Sequence, residues 1–368
     1  MASPGGALAA CAPPSPPFDS RAALGEAVAA LYTSPDPRAR AAADAWLQQF
    51  LRSDHAWPLS LRMLRDGEDL TSIEALFCAR ALHVLLRKSV VKAERTQRSH
   101  AVLDADDWTG AREALLRLMW AHADAIERSD ASADAAAPPT SAAGTFAARA
   151  KADAAASRAV LTQVALALAA LACKMDAWDP ASIVPDVLRY FSSSSSGGDG
   201  GGRAPSSGAA CFLHVLAALP EECASKDLSV HPARREAVRR GLRDAAATSA
   251  FPAMDAISRG ASVGSARVLA FRAFAAWSAF APDCDAAAPS ATLEFALEAL
   301  LRGIPAATPG GVADRLLDAA QAAVAMDEEK DVPCAREIVV SRLVDRAIES
   351  VLRGVAGGVP AGVGYPWA

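Results

Sequence analysis

The chain has 368 residues, 52% hydrophobic, 21% charged and 6% aromatic, with a net charge of −5. That apolar content can bury a core, and the length does not favour a single compact domain. The mild acidity argues against a general nucleic-acid binder, which would show a basic excess or a concentrated basic face.

Glycine and proline, 23 each, gather at 1–17, 192–208 and 354–366, which read as tails or linkers. The amino terminus lacks the basic region and uninterrupted apolar core of a secretory signal. The longest apolar run, 159–173, contains Thr162 and Gln163 and is shorter than the about 20 residues of a bilayer span. No membrane insertion is expected. Seven scattered cysteines without a C-x-x-C pair (Cys11, Cys78, Cys173, Cys211, Cys223, Cys284, Cys334) read as reduced, buried thiols of a cytosolic or nuclear protein.

Helical periodicity dominates from the start. Leu24, Val28, Leu31 and Tyr32 form one apolar face of a helix ending at Thr33-Ser34-Pro35. Pro35 to Pro37 open the next, in which Ala43, Trp46, Leu47 and Phe50 share a face at i, i+3, i+4, i+7. A third helix from about His55 carries Leu59, Leu61, Met63 and Leu64. A fourth, from Asp69 or Thr71, presents Ile73, Leu76, Phe77, Ala81, Leu82, Leu85 and Leu86. The fifth starts after Asp104-Ala105-Asp106, presents Ala111, Leu115, Leu118 and Met119, and is expected to end near Ile126.

The segment 129–156 is alanine-rich and weakly patterned. Further helices are expected at roughly 157–176, 181–191, 209–219, 232–250, 265–281, 291–302, 312–326 and 334–353, with no strand anywhere. The expected class is all-α, a right-handed α-α superhelix of HEAT or armadillo type built from antiparallel helix pairs. Its expected organisation is a tail over 1–18 and first repeats over 19–128, then an insertion over 129–156 and a repeat over 157–191. A Ser/Gly linker over 192–208, further repeats over 209–353 and a Gly-rich tail over 354–368 complete it.

Candidate chemistry is thin. Gly260-Ala261-Ser262-Val263-Gly264 matches a nucleophile elbow formally, but the elbow needs a preceding strand, and Phe251 to Arg259 has no strand character. Ser262 or Ser265 is expected instead to cap the helix at 265. Cys211, His214, Cys223 and His231 are zinc-type ligands within a short span, yet Cys211 and His214 fall on one apolar helix rather than on knuckle turns. Arg234, Arg235, Arg239, Arg240 and Arg243 read as a solvated helix face, with contact to a phosphate or an acidic partner as the alternative. Asp327-Glu328-Glu329-Asp331 reads as an exposed loop. No acid, base and nucleophile assemble, so neither an enzyme nor a cofactor, metal or catalytic residue is expected.

Several stretches resemble a known family. Residues 31–57 resemble the first repeat of nuclear transport receptors of the importin-β superfamily, most closely the transportin-SR (transportin 3) and importin-thirteen branch. The resemblance rests on Asp36-Pro37, Ala45-Trp46-Leu47 and Ser53-Asp54-His55-Ala56-Trp57. LFCARALHVLL (76–86), the helix and Met175-x-x-Trp178 exit of 161–178, Leu213 to Ser225 with Leu219-Pro220-Glu221-Glu222, and the Trp277-ended helix of 266–277 are similar to later elements, in family order. Trp46, Leu47, Trp57, Trp178, Pro220 and Trp277 are thus expected as signature packing residues, not contacts. Members of the family continue through many more repeats, so the chain resembles the amino-terminal part.

The resemblance implies binding of the small GTPase Ran in its GTP form, of nucleoporins and of protein cargo, with Arg/Ser-rich splicing factors as the branch's cargo class. It implies shuttling between cytoplasm and nucleus, with no direct nucleic-acid contact. Glu68, Asp69, Asp104, Asp106 and Asp107 are candidates to meet a basic surface on the GTPase by charge complementarity; helix caps and solvated loops are the other reading.

Overall fold

The computed structural model describes residues 17–66, 70–88, 105–134, 141–193, 205–260 and 264–281. Among these the chain is all-α, built of successive helix pairs in the manner of a HEAT-type solenoid. It divides into two units, Met1–Ala167 and Leu168–Ala368.

In the first unit, α1 (Arg21–Thr33) is capped by the Ser20 hydroxyl, which accepts from Ala23 N–H at 3.2 Å. Helix α2 (Pro37–Phe50) starts on Asp36, whose carboxylate accepts from Arg38 N–H at 2.9 Å, with Pro37 supplying a pre-set φ at the first helical position. Helix α3 spans Ala56–Asp66 and α4 Ser72–Lys88. Thr71 and Glu74 form a reciprocal capping box at the start of α4: Glu74 accepts from Thr71 N–H and Oγ1–H, and Glu74 N–H donates to the Thr71 hydroxyl. Helices α1 and α2, and α3 and α4, pack as pairs, and α1 also meets α4.

Most of the expected apolar faces form the core, while Leu31, Ile73, Leu76, Leu85 and Leu118 are half-buried. Leu24, Val28, Ala43, Trp46, Leu47, Phe50, Leu59, Leu61, Met63 and Leu64 are all buried. Tyr32 departs from expectation and is 44% exposed, because it lies on the last turn of α1, beyond the part that α2 and α4 cover. Phe18, just before α1, lays its ring on Trp46 (centroids 5.2 Å apart), and Trp46 stacks parallel on Phe50 at 5.8 Å.

Two helices are longer than the periodicity suggests. Helix α5 spans Ala105–Asp134, and α6 begins at Ser141 rather than near 157 and runs to Lys174. Alanine gives little hydrophobic contrast to a periodicity argument but has the highest helix propensity, so 141–156 is helical without announcing itself. The part Ala152–Lys174 has the length and mean hydropathy of a membrane span, yet 67% of its most apolar window is buried within the protein, as in a core helix.

In the second unit, α7 (Ile183–Ser193), α8 (Pro205–Ala224), α9 (Pro232–Ala245), α10 (Phe251–Gly260) and α11 (Gly264–Phe280) alternate between two layers. α8 and α11 share the most extensive contact and form one layer; α7 and α9 touch in the other; α7–α8, α8–α9 and α10–α11 cross between layers. Helix α10 lies where the periodicity predicts no separate helix. It continues α9 through a π-helical turn, Ala246–Ala250, in which Phe251 N–H bonds Ala246 O. Pro252 explains the widened turn: its ring has no N–H for the carbonyl of Thr248 and would clash with it in a regular helix. The helices expected at 291–302, 312–326 and 334–353, the acidic cluster at 327–331, and most of the linker and tails lie outside the described residues.

Candidate functional site

The signature residues Trp178, Pro220 and Trp277 mark two places in the second unit, and each place is held by groups far away in sequence. The first is the loop between α6 and α7. Arg234, three residues into α9, sends its guanidinium into the carboxyl end of α6. It donates from Nη2 to the carbonyls of Ala172 (3.0 Å), Met175 (2.6 Å) and Trp178 (2.8 Å), and from Nε to Cys173 (3.4 Å). The last carbonyls of a helix have no intrahelical partner, and a cation there also meets the negative end of the helix dipole. Only 11% of the Arg234 side chain is exposed. Burial pulls its pKa down, and Asp176, 3.8 Å from Nε, opposes that.

Arg235 does the same for the end of α8. Its Nη1 reaches the carbonyls of Ser225 (2.7 Å) and Cys223 (3.4 Å), and its Nη2 bonds that of Leu228. Two adjacent arginines thus close the ends of two different helices. This corrects the solvated-face reading for both: a neighbouring helix end, invisible to local sequence, captures them. Arg240 and Arg243 are exposed, as that reading expects, and Arg239 is half-exposed with Glu236 at 4.0 Å.

Trp178 is buried in the clamped loop and donates its indole N–H to Asp186 at 3.2 Å. Gly241 of α9 lies directly on that loop. A Cβ there would stand 2.6 Å from the carbonyl carbon and oxygen of Pro180.

The second place joins α8 to α11. Pro220 lies inside α8 and is buried, and the fully buried Trp277 donates its indole N–H to the carbonyl of Leu216 at 2.7 Å. In the first unit Trp46 and Leu47 are buried, while Trp57 is half-buried with its ring 6.0 Å from that of Trp108. Every signature residue therefore sits in packing.

One buried and one half-buried histidine link neighbouring helices. His83 of α4 meets Gln163 of α6 at 3.1 Å, and His122 of α5 meets Ser157 of α6 at 3.3 Å. Burial lowers the pKa of His122. Burial, with Arg272 adding, takes that of His214 down to about 4.

Of the candidate GTPase contacts, Glu68, Asp69 and Asp104 lie outside the described residues. Asp106 and Asp107 belong to the first turn of α5, and their side chains are outside the description. The zinc-type set is not brought together: among the described residues no three metal-ligating side chains cluster. Cys211 is wholly buried in α8, and His231 caps α9 instead, accepting from Ala233 N–H through Nδ1 at 3.3 Å. Ser262 lies outside the described residues, but the residues before Gly260 are helix α10, so the strand an elbow requires is replaced by helix.

What the arrangement can do is hold successive helix ends in fixed register, the property a solenoid needs to present an extended surface. The feature that sequence reasoning missed is the arginine pair. Its one local signal is position, directly after the His231-Pro232 helix start, where long side chains point back past the helix end.

Residues 157–303, which include α7 to α11, are similar to the family described as exportin 1-like protein.

Proposed function

We propose that the chain acts as a nuclear transport receptor of the transportin-SR and importin-thirteen branch, binding Ran-GTP and protein cargo during passage through the nuclear pore. The observation that carries this reading is the exportin 1-like match across 157–303. The ordered branch motifs add to it: the two tryptophan turns of the first unit, Met175-x-x-Trp178, Leu219-Pro220-Glu221-Glu222 and Trp277. The burial of Trp46, Met175, Trp178, Leu219 and Trp277 supports a scaffold role, leaving contacts to exposed positions. The acidic residues Glu68, Asp69, Asp104, Asp106 and Asp107 are the proposed Ran-facing set, since opposite charge steers such encounters.

The test is capture of the purified chain on immobilised Ran loaded with a non-hydrolysable GTP analogue, beside Ran-GDP. Selective retention on the GTP form supports the receptor, and replacing the five acids by their amides should weaken it in a salt-sensitive way. Equal or absent retention on both forms would instead favour a helical scaffold without transport activity.

A further inference from the structure

The arginine clamps place two cysteines together. Cys173 is the penultimate residue of α6, and Cys223 the penultimate residue of α8. The carbonyl of the first is held by Arg234 and that of the second by its neighbour Arg235, each at 3.4 Å. Both residues are 2% exposed, and neither is in a disulfide. Their side chains face each other, the Cys173 thiol donating its hydrogen bond to the Cys223 sulfur.

We propose that Cys173 and Cys223 form a reversible dithiol–disulfide pair, which a peroxide oxidant converts into a covalent tie between the ends of α6 and α8. This does not depend on the transport reading.

The surroundings divide the labour. Donating that hydrogen bond, and then burial, push the Cys173 thiol up. Receiving it pulls Cys223 down against the effect of burial, with Arg239 and Arg235 adding to the pull. With the Arg235 guanidinium at its carbonyl to favour the reactive thiolate, and the exposed Ala224 next to it, Cys223 is the sulfur placed to attack first. By contrast burial, with Glu74 adding, pushes the solitary Cys78 up to about 12.

The Cys223 sulfur attacks one peroxide oxygen, the O–O bond breaks, and sulfenic acid and one water result. The Cys173 sulfur then attacks the sulfenic sulfur. Its proton leaves with the hydroxyl as a second water, and the S–S bond forms. Two thiols lose two electrons in total, and the peroxide gains them. Access comes at the last turn of α8, next to the exposed Ala224, where helix ends open most readily.

The experiment treats the reduced, folded full chain with hydrogen peroxide, blocks remaining thiols by alkylation under denaturing conditions, and maps tryptic peptides without reductant. The expected product joins peptides 159–174 and 204–226, with fragmentation placing the bond on Cys223 rather than Cys211. It is two hydrogens lighter than the separate peptides and is lost on adding dithiothreitol. Cys211→Ser should keep the product and Cys223→Ser should lose it. A link to Cys211 or to any other cysteine, a sulfenic acid persisting on Cys223, or both thiols still fully alkylated after peroxide would overturn the proposal. The wild-type map decides it even if a variant folds poorly.

Discussion

The indole of Trp277 donates to the carbonyl of Leu216, the residue four positions before Pro220. In a regular helix that carbonyl would accept from the N–H of residue 220, which proline lacks, and the proline ring would also press on it. A side chain sixty-one residues away takes the place of that donor. Two signature residues that look independent in sequence are thus one device: Pro220 frees an acceptor, and Trp277 uses it to dock α11 on α8.

That coupling can be measured. Trp277→Phe leaves a buried carbonyl without its donor and should destabilise the second unit by about 1–3 kcal/mol. Pro220→Ala restores a helical N–H to Leu216, so the double variant should be more stable than the sum of the singles predicts. A double-mutant cycle by urea unfolding, followed by circular dichroism, checks this; strict additivity would contradict the coupling.

Arg234 should not tolerate lysine. A single ammonium has three donors and no planar fork, so it cannot reach the four carbonyls of Ala172, Cys173, Met175 and Trp178 at once. Hydrogen bonds from charged groups contribute roughly 1.5–3 kcal/mol each, and the residual carbonyls stay buried, so Arg234→Lys should cost about 2–4 kcal/mol. Arg240→Lys, on the exposed side of α9, should change thermal stability negligibly, and the two melting curves together separate clamp from surface.

Gly241 and Gly25 make a contrasting pair. A Cβ at Gly241 would meet the Pro180 backbone at 2.6 Å, and backbone in a clamped loop cannot yield. Gly241→Ala should therefore destabilise by about 1–3 kcal/mol, even though alanine is the better helix former by about 1 kcal/mol. At Gly25 the nearest atom is the Glu74 carboxylate oxygen at 2.6 Å, the far end of a flexible side chain. Gly25→Ala should displace that carboxylate and weaken the α4 cap, at a cost of about 1 kcal/mol or less after the propensity gain. Chemical denaturation of both variants gives the ranking.

Acid should weaken the fold in a defined window. His214, with its pKa lowered from 6.5 to about 4, and His122, lowered in the same direction, are held neutral in the folded state. Between those values the unfolded chain binds more protons, so stability is intact above pH 6.5 and falls as pH drops toward 4. A tenfold loss of proton affinity corresponds to about 1.4 kcal/mol, which makes the His214 contribution on the order of 3 kcal/mol. Melting temperature against pH for the wild type and His214→Gln checks it: the variant's curve should be flatter from pH 6.5 to 4.

By itself the sequence determined the all-α class and the buried faces of α2 and α3, because periodicity is local. It placed Trp46 and Leu47 in the core and marked Trp178, Pro220 and Trp277 as a set. Helical stretches rich in alanine escaped it, since burial contrast and helix propensity are different signals. Only the tertiary structure decided which carbonyls Arg234 and Arg235 close, that Trp277 serves the acceptor freed by Pro220, and that Cys173 faces Cys223. Each of those partnerships joins helix ends brought together by packing, and orphaned backbone groups take whatever donor the fold delivers there.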